Sequence, residues 1–228
     1  LPSFPGMLLE KEVSNLKKLI TNANYSSAVA IFGGSKVSTK IKVIEYYLKK
    51  FGKVIIGGAM ANTFLSSKKI NIGTSIIEKS MEKIAKNLLD YYGDKISLPD
   101  DVVIIDKSKK IHLRAINDIN KDEKILDIGP QTRMKYFSLV SECSCLLWNG
   151  PLGFYEQKPF DEGTKFVIKA VKNNNDKNFF SVAGGGDTIS MLNHAKASDY
   201  FSFISTGGGA FLEFIQGNGL PGLDSLNN

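Results

Sequence analysis

The sequence has little arginine, and this shortage argues against one class of protein. Only Arg114 and Arg133 stand among its 29 basic residues, and the other 27 are lysines. Arginine forks read base edges and bind planar carboxylates, so their scarcity argues against sequence-specific nucleic-acid recognition. It does not argue against phosphate contact by lysine. Most of the surplus lysines are expected to be solvated surface charge.

Cysteine and long apolar runs are also scarce. Cys143 and Cys145 are the two cysteines, so neither a disulfide framework nor a zinc site is predicted, and a reducing, cytosolic setting is expected. In a strand, both would point to the same face. No run approaches the ~20 apolar residues that a membrane-spanning helix needs, and no leader is recognised. The chain opens on Leu1, so we expect it to begin partway through a longer polypeptide.

What the sequence contains is typical of a soluble α/β domain, with 43% hydrophobic and 23% charged residues. Helical apolar spacing predicts helices at residues 7–20, 37–51, 76–92, 132–140 and 160–171. Nearly continuous apolar runs predict strands at 28–32, 54–56, 102–105, 145–148, 179–183 and 201–204. The alternation predicts one doubly wound α/β domain, Rossmann-like, with a six-stranded, mainly parallel sheet and helices on both faces. A small side hairpin is predicted around residues 111–116.

Ten of the 21 glycines lie in four clusters, each at the end of a predicted strand. The clusters are Gly33-Gly34, Gly57-Gly58, Gly184-Gly185-Gly186 and Gly207-Gly208-Gly209. The carboxyl ends of parallel strands form one edge of a sheet, and glycine there lets the backbone approach a ligand closely. The four clusters are therefore predicted to converge on one crevice.

The first cluster continues into Lys36 and Lys40, which the predicted helix places on one face of its opening turns. Two cations there oppose the helix dipole and repel each other, and an anion would offset both effects. A polyphosphate over Gly33, Gly34 and Ser35 is therefore predicted. The segment matches neither the Walker pattern nor the G-x-G-x-x-G fingerprint.

Two other segments leave alternatives open. Asp187 is either a helix N-cap or, together with Thr188, a ligand of a phosphate-bound magnesium ion. Residues 149–156 offer an aromatic surface and a carboxylate, which suit a base and a ribose hydroxyl, but an ordinary surface loop fits equally well. The Gly207 cluster offers N–H groups that suit the transient charge of phosphoryl transfer.

Together these motifs resemble a known family. They are GGSKVSTKI from Gly33, IIGGAMANTFL from Ile55, DIGP from Asp127, WNGPLG from Trp148, AGGGDT from Ala183 and STGGGA from Ser205. The chain resembles the C-terminal, nucleotide-binding half of phosphoglycerate kinase, with Phe154-Tyr155 where the family commonly shows Val-Phe. The resemblance implies a linker helix over residues 1–22, a nucleotide-binding domain over 23–217 and a segment 218–228 that returns to the N-terminal half. That half is missing here, so we expect residues 220–228 to be mobile.

The resemblance also implies roles for individual residues. Lys40 would hold the phosphates and the migrating phosphoryl group, with Lys36 beside it. The residues expected to border adenine are Gly34, Ser35, Gly57, Gly58, Leu98, Pro151 and Phe154. Glu156 would bind ribose and Asp187 the magnesium ion of MgATP. The residues expected near phosphates are Asn149, Thr188, Gly184, Gly185 and Gly186. The residues expected to stabilise the phosphoryl group in flight are Gly207, Gly208 and Gly209.

The implied reaction is reversible phosphoryl transfer between ATP and 3-phosphoglycerate, which gives ADP and 1,3-bisphosphoglycerate in glycolysis. The expected partners are Mg²⁺, ATP or ADP and, through the missing half, 3-phosphoglycerate. Nucleic acid and membranes are not expected partners, and we expect a cytoplasmic monomer. An alternative is a nucleotide-binding module without turnover, because the phosphoglycerate-binding half is absent. A Rossmann-type dehydrogenase gains little support without its fingerprint.

Overall fold

The computed structural model describes residues 6–21 and 25–216, in which nine strands and eight α-helices follow one another. The strands are β1 (Ala28–Phe32), β2 (Lys53–Ile56), β3 (Ile96–Ser97), β4 (Asp101–Ile105), β5 (Ile111–Ala115), β6 (Lys124–Ile128), β7 (Cys145–Asn149), β8 (Phe180–Gly184) and β9 (Phe203–Ser205). The helices are α1 (Met7–Thr21), α2 (Ile41–Lys50), α3 (Gly58–Ser67), α4 (Glu82–Tyr92), α5 (Pro130–Ser141), α6 (Glu162–Lys172), α7 (Gly186–Ala195) and α8 (Gly208–Ile215). No helix in these residues is long and apolar enough to cross a membrane.

Six strands form one parallel sheet in the order β3-β2-β1-β7-β8-β9. The chain builds outward from β1 in one direction and then from β7 in the other. The strand order therefore reverses between β1 and β7, where Phe32 lies beside Asn149. Ligands of such sheets bind outside the carboxyl ends of the strands at this reversal. The prediction of a doubly wound fold with a six-stranded parallel sheet is confirmed.

Strand β1 shows how the sheet divides the core. All five of its residues are buried. Ala28, Ala30 and Phe32 pack into one core cluster with α1, α2, α3, α4 and α8, while Val29 and Ile31 pack into a second cluster with α5, α6 and α7. Because successive side chains of a strand point to opposite faces, a sheet covered on both faces needs an apolar residue at every position.

The prediction that residues 102–105 belong to the main sheet is wrong. They lie in β4, the central strand of a small antiparallel sheet in the order β5-β4-β6. Val102 and Ile104 are buried there with Ile119 in a separate small core. The sixth strand of the main sheet is the two-residue strand β3. The predicted side hairpin at 111–116 is β5, and β6 adds a third strand.

The helices differ from prediction mainly near the glycines. Helix α1 matches its predicted range closely, whereas α2 begins at Ile41 rather than residue 37 and α4 at Glu82 rather than residue 76. Helices α3, α7 and α8 follow glycine clusters and lie outside the predicted ranges. Helix α3 is buried along most of its length, so it lacks the amphipathic period that reveals a helix.

The two cysteines are free and buried, but not on one face as predicted. Cys145 begins β7 and packs in the first core cluster, whereas Cys143 precedes the strand and packs in the second. The predicted C-terminal segment 218–228, including its expected mobility, lies outside the described residues.

Candidate functional site

The side chain of Lys40 lies over the gap between β1 and β7. Its Nζ donates to the carbonyl oxygens of Gly33 and Asn149, at 2.7 and 3.2 Å. Burial lowers the pKa of Lys40 to about 8, while the nearby charge of Asp187 acts to raise it. The ammonium group therefore stands at the sheet reversal with no carboxylate in direct contact among the described residues.

The predicted helical pairing of Lys36 with Lys40 is wrong. Residues 35–40 form turns and α2 starts only at Ile41, so the two lysines do not share a helix face. Lys36 is exposed, and the loop beside it is held by Glu78, whose carboxylate accepts the Ser38 N–H at 3.0 Å. The structure brings Lys40 into the crevice and leaves Lys36 on the loop outside it.

Glycines let the loops after β1, β2 and β7 stack directly on one another. A Cβ at Gly33 would lie 1.9 Å from the carbonyl oxygen of Pro151, and one at Gly58 would lie 2.7 Å from the Gly34 nitrogen. Gly58 also has φ +61°, a conformation that favours glycine. Close packing of three backbone loops is thus one reason for the first two glycine clusters.

These contacts also change the predicted role of the first cluster's amides. Gly33 N–H donates to Asn149 O at 2.9 Å, and Gly34 N–H donates to Pro151 O at 3.2 Å. The prediction that a polyphosphate meets the N–H groups of Gly33 and Gly34 is therefore wrong, because neighbouring loops already accept their hydrogens. The Gly58 N–H is used in the same way, by Leu152 O at 3.0 Å.

A cavity of about 350 Å³ opens beside the stacked loops. The predicted site residues that line it are Gly34, Ser35, Gly58, Pro151, Phe154, Glu156 and Asp187. The wall is mostly apolar, and Phe154 is 45% exposed although its ring is large and hydrophobic. An apolar cavity with a few polar groups at one side is the usual form of a small-molecule site.

Leu98, which the resemblance implies would border adenine, does not line this cavity. Leu98 lines a separate surface hollow, and its carbonyl accepts a hydrogen bond from Lys135. The leucines that line the cavity are Leu152 and Leu126, the central residue of β6. The signal for Leu126 was the DIGP motif, which immediately follows Leu126 and was noted only as a mark of resemblance.

The start of α7 brings Asp187 to the cavity but buries Thr188. The Thr188 hydroxyl donates to Gly184 O at 2.7 Å and accepts the Gly150 N–H at 2.7 Å. Asn149 donates its amide hydrogen to Gly184 O, and its Oδ1 is buried without a partner among the described residues. Thr188 and Asn149 thus join β7 to β8, while Asp187 is exposed.

The fourth glycine cluster lies apart from the cavity. It follows β9, three strands from β1 and about 14 Å away at ordinary strand spacing. Ser205 donates a hydrogen bond to the Glu12 carboxylate of α1, and the Gly207 N–H donates to Ser205 Oγ at 3.3 Å. All four clusters stand on one rim of the sheet, but Gly207, Gly208 and Gly209 do not line the cavity, and a Cβ at Gly207 would lie 3.4 Å from Glu12 of α1.

Comparison with known proteins agrees with this geometry. The family model for phosphoglycerate kinase matches residues 1–218. The chain belongs to the phosphoglycerate kinase family. It is 40% identical to a phosphoglycerate kinase of Caulobacter sp. (strain K31) over 233 aligned positions, which cover 99% of this chain and 59% of that protein.

Solved phosphoglycerate kinase structures have the same fold. The enzyme from Coxiella burnetii superposes with a TM-score of 0.89 at 35% identity, over 96% of this chain and 57% of that one. The enzyme from Pyrococcus horikoshii superposes with a TM-score of 0.82 at 30% identity, over 97% of this chain and 56% of that one. The chain therefore spans less than two thirds of the length of these relatives.

Proposed function

We propose that this chain is the nucleotide-binding half of a phosphoglycerate kinase. In this proposal it binds ATP or ADP with Mg²⁺ at the carboxyl ends of β1 and β7. With the missing half, it transfers a phosphoryl group reversibly between ATP and the 1-carboxylate of 3-phosphoglycerate. The observation that carries the proposal is the partly buried ammonium group of Lys40 at the sheet reversal, next to the cavity.

Lys40 suits a phosphate group for electrostatic reasons. Its partners are two neutral carbonyls, so the cation lacks the full counter-charge that a buried ion requires. Burial lowers the pKa of Lys40 to about 8, which reflects this cost. The phosphates of a nucleotide would supply the missing negative charge. Because phosphoryl transfer needs positioning and charge neutralisation, no covalent nucleophile is required.

The cavity suits the nucleoside part of the ligand. Phe154 offers half of its ring to the opening, and Glu156 adds an exposed carboxylate two residues later. An adenine ring against an apolar wall and a ribose hydroxyl on a carboxylate would match this pairing. In this orientation the phosphates extend towards Lys40 and the start of α7.

Asp187 is the residue that would hold Mg²⁺. Its exposed carboxylate lies at the cavity and makes no hydrogen bond or ion pair within residues 6–21 and 25–216. One carboxylate with waters and phosphate oxygens is an ordinary Mg²⁺ ligand set, and the bound ion would neutralise charge on the phosphates. The Thr188 hydroxyl does not fit as a ligand because Thr188 is fully buried and its hydrogen and one lone pair are already engaged.

Two glycines at helix starts also suggest a ligand close to the backbone. A Cβ at Gly186 or Gly209 would meet no atom of the described residues within 4 Å, and neither residue has a left-handed φ. Packing and backbone conformation in this part of the chain therefore do not require glycine at either position. Helix starts with free N–H groups bind anions, and a side chain would keep a phosphate at a distance.

Nucleotide titration tests the proposal. Isothermal titration with MgATP should show binding by the wild-type chain and a 10- to 100-fold weaker affinity (about 1.5–3 kcal/mol) for Lys40→Ala, because a charged hydrogen bond is lost. The matched control is Lys42→Ala, since Lys42 is an exposed lysine on α2. Equal affinities for the wild type and Lys40→Ala would refute the assignment of Lys40.

A further inference from the structure

Asp127 lines the cavity together with its neighbours in β6, and its side chain is buried. Asp127 is 2% exposed and stands near the end of β6, between Leu126 and Ile128, which both line the cavity. The resemblance and the proposed function assign no role to it. A carboxylate this deeply buried requires compensation by hydrogen bonds or a cation.

Three donors from three parts of the chain supply that compensation. The N–H of Gly163 in α6 donates to Oδ2 at 2.7 Å, and the N–H of Ile128 donates to Oδ1 at 2.9 Å. The guanidinium of Arg133 in α5 donates to Oδ2 at 3.1 Å and, through Nε, to Ile128 O at 3.1 Å. Burial raises the pKa of Asp127 to about 7 and these donors oppose the rise, so the ionised carboxylate depends on them.

Two glycines close on the same carboxylate. A Cβ at Gly153 would lie 2.2 Å from Asp127 Oδ1, and one at Gly163 would lie 2.4 Å from the same atom. Neither glycine has a left-handed φ, so backbone conformation does not require them. A side chain at these two positions is excluded by contact with the Asp127 carboxylate and by close packing against Phe160 and Ile128.

The contact at Gly153 links Asp127 to the cavity. Gly153 precedes Phe154, whose N–H donates to Leu126 O at 2.8 Å, and Glu156 follows two residues later. Displacement of the carboxylate would therefore move the loop that carries Phe154 and Glu156. Lys40 and Asp187 stand on other elements and make no contact with Asp127 in the described structure.

We propose that Asp127 is a positioning residue for the nucleoside part of the nucleotide. Its carboxylate, clamped by Arg133 and the Gly163 N–H, sets the position of the loop over residues 150–156. The triphosphate, read by Lys40 and the start of α7, does not depend on this clamp. This inference rests on the proposed function, because it divides the same nucleotide site into two separately supported parts.

The test compares ATP with tripolyphosphate, a ligand that has the phosphates but no nucleoside. Asp127→Asn keeps the side-chain volume and removes the charge. We expect about 10-fold weaker ATP binding and a tripolyphosphate affinity within twofold of the wild type, both measured by isothermal titration in the presence of Mg²⁺. Arg133→Lys keeps a cation but not the fork, and should give a smaller loss for ATP alone. If Asp127→Asn does not fold, Arg133→Lys is the variant used to test the inference.

The matched control is Glu123→Gln. Glu123 is also a buried carboxylate, and it pairs with Arg114 at 2.7 Å and with Asn120. It makes no hydrogen bond or ion pair with the 150–156 loop. Glu123→Gln should leave both affinities within twofold. The inference would be overturned if Asp127→Asn bound ATP as tightly as the wild type, or if it lost affinity equally for ATP and tripolyphosphate. It would also be overturned if Glu123→Gln lost affinity for ATP alone. Failure of the wild type to bind either ligand would overturn the proposed function, and this inference with it.

Discussion

At the scale of single residues, the sequence and the structure single out Lys40 by different arguments. The pattern placed two cations on a helix start, where they oppose the dipole. In the structure α2 begins at Ile41, just after Lys40, and the Lys40 cation is unfavourable for another reason, namely its partial burial against two carbonyls. Both arguments depend on the same physical fact, that a cation without a partner attracts an anion.

The lowered pKa of Lys40 predicts how nucleotide affinity depends on pH. The pKa of Lys40 is about 8 in the folded chain, so Lys40 loses its proton above pH 8. Because the phosphates bind the charged form, Lys40 must take up a proton again when the nucleotide binds. ATP affinity should fall about tenfold per pH unit above that value, with proton uptake on binding. Isothermal titration between pH 7 and 10, in buffers of different ionisation enthalpy, measures both effects.

Lys40→Arg is the control for this pH dependence, because guanidinium stays charged throughout the range. Its affinity for ATP should stay constant between pH 7 and 10, and a decline as steep as that of the wild type would contradict the prediction.

The lowered pKa of Lys40 also makes folding stability depend on pH. The unfolded chain keeps the Lys40 proton when the folded chain has lost it, so this group's contribution to the unfolding free energy rises between pH 8 and 10.5.

The two arginines are both used inside the fold. Arg114 pairs with Glu123 and Arg133 with Asp127, and both carboxylates are buried around the small sheet. Their scarcity in the sequence argues against sequence-specific nucleic-acid recognition. The structure adds that, in the described residues, each arginine is committed to a structural carboxylate.

At the scale of elements, the stacked loops explain the glycines better than ligand approach alone. The loops after β1, β2 and β7 contact each other through backbone atoms, and Gly33 has the tightest of these contacts. The sequence showed that glycine clusters follow four of the predicted strands. It could not show that Pro151, more than a hundred residues away, occupies the space of the missing Cβ.

Gly33→Ala should therefore destabilise the chain. The added methyl group would overlap the Pro151 carbonyl at 1.9 Å and force the two loops apart, at a cost of about 3 kcal/mol. Urea unfolding measures the loss. Gly93→Ala is the matched control, because its Cβ meets nothing within 4 Å and its φ of −49° suits alanine. It should change the unfolding free energy by less than about 1 kcal/mol. Similar losses for the two variants would show that the loop contact is not the cause.

The elements were predicted where their sequence period is strong. Helix α1 and strand β1 have clear patterns and lie where predicted, whereas α3 is buried nearly all round and was not predicted as a range. Strand β4 has the apolar run of a parallel strand but lies at the centre of an antiparallel sheet. Val102 and Ile104 are buried and Val103 and Ile105 partly buried, so the apolar run does not distinguish the two settings.

At the scale of the whole molecule, the chain has a mostly apolar cavity beside the sheet reversal and spans about 59% of the length of the Caulobacter relative. Phosphoryl transfer requires two substrates held in line in a water-poor site. In the proposed function, this chain supplies the nucleotide side of that arrangement and the other half supplies the phosphoglycerate side.

The 228-residue chain alone should therefore bind MgATP but show at most about a thousandth of the turnover measured when a separately produced N-terminal half of a relative is added. A coupled assay with 3-phosphoglycerate and MgATP measures the rate with and without that half. The Lys40→Ala chain mixed with the same half is the control for contaminating kinase. Full turnover by the chain alone would contradict the proposal that the N-terminal half is needed to bind 3-phosphoglycerate.

The sequence by itself determined the alternation of strands and helices, the glycines at strand ends and the family motifs, because all of these are local patterns. Only the tertiary structure decided that β1 and β7 are neighbours, that Lys40 covers the gap between them, and that Leu126 rather than Leu98 lines the cavity. Period and composition specify which face of an element is buried. Packing between residues far apart in the chain decides which elements contact each other, and the site is formed where these elements are in contact.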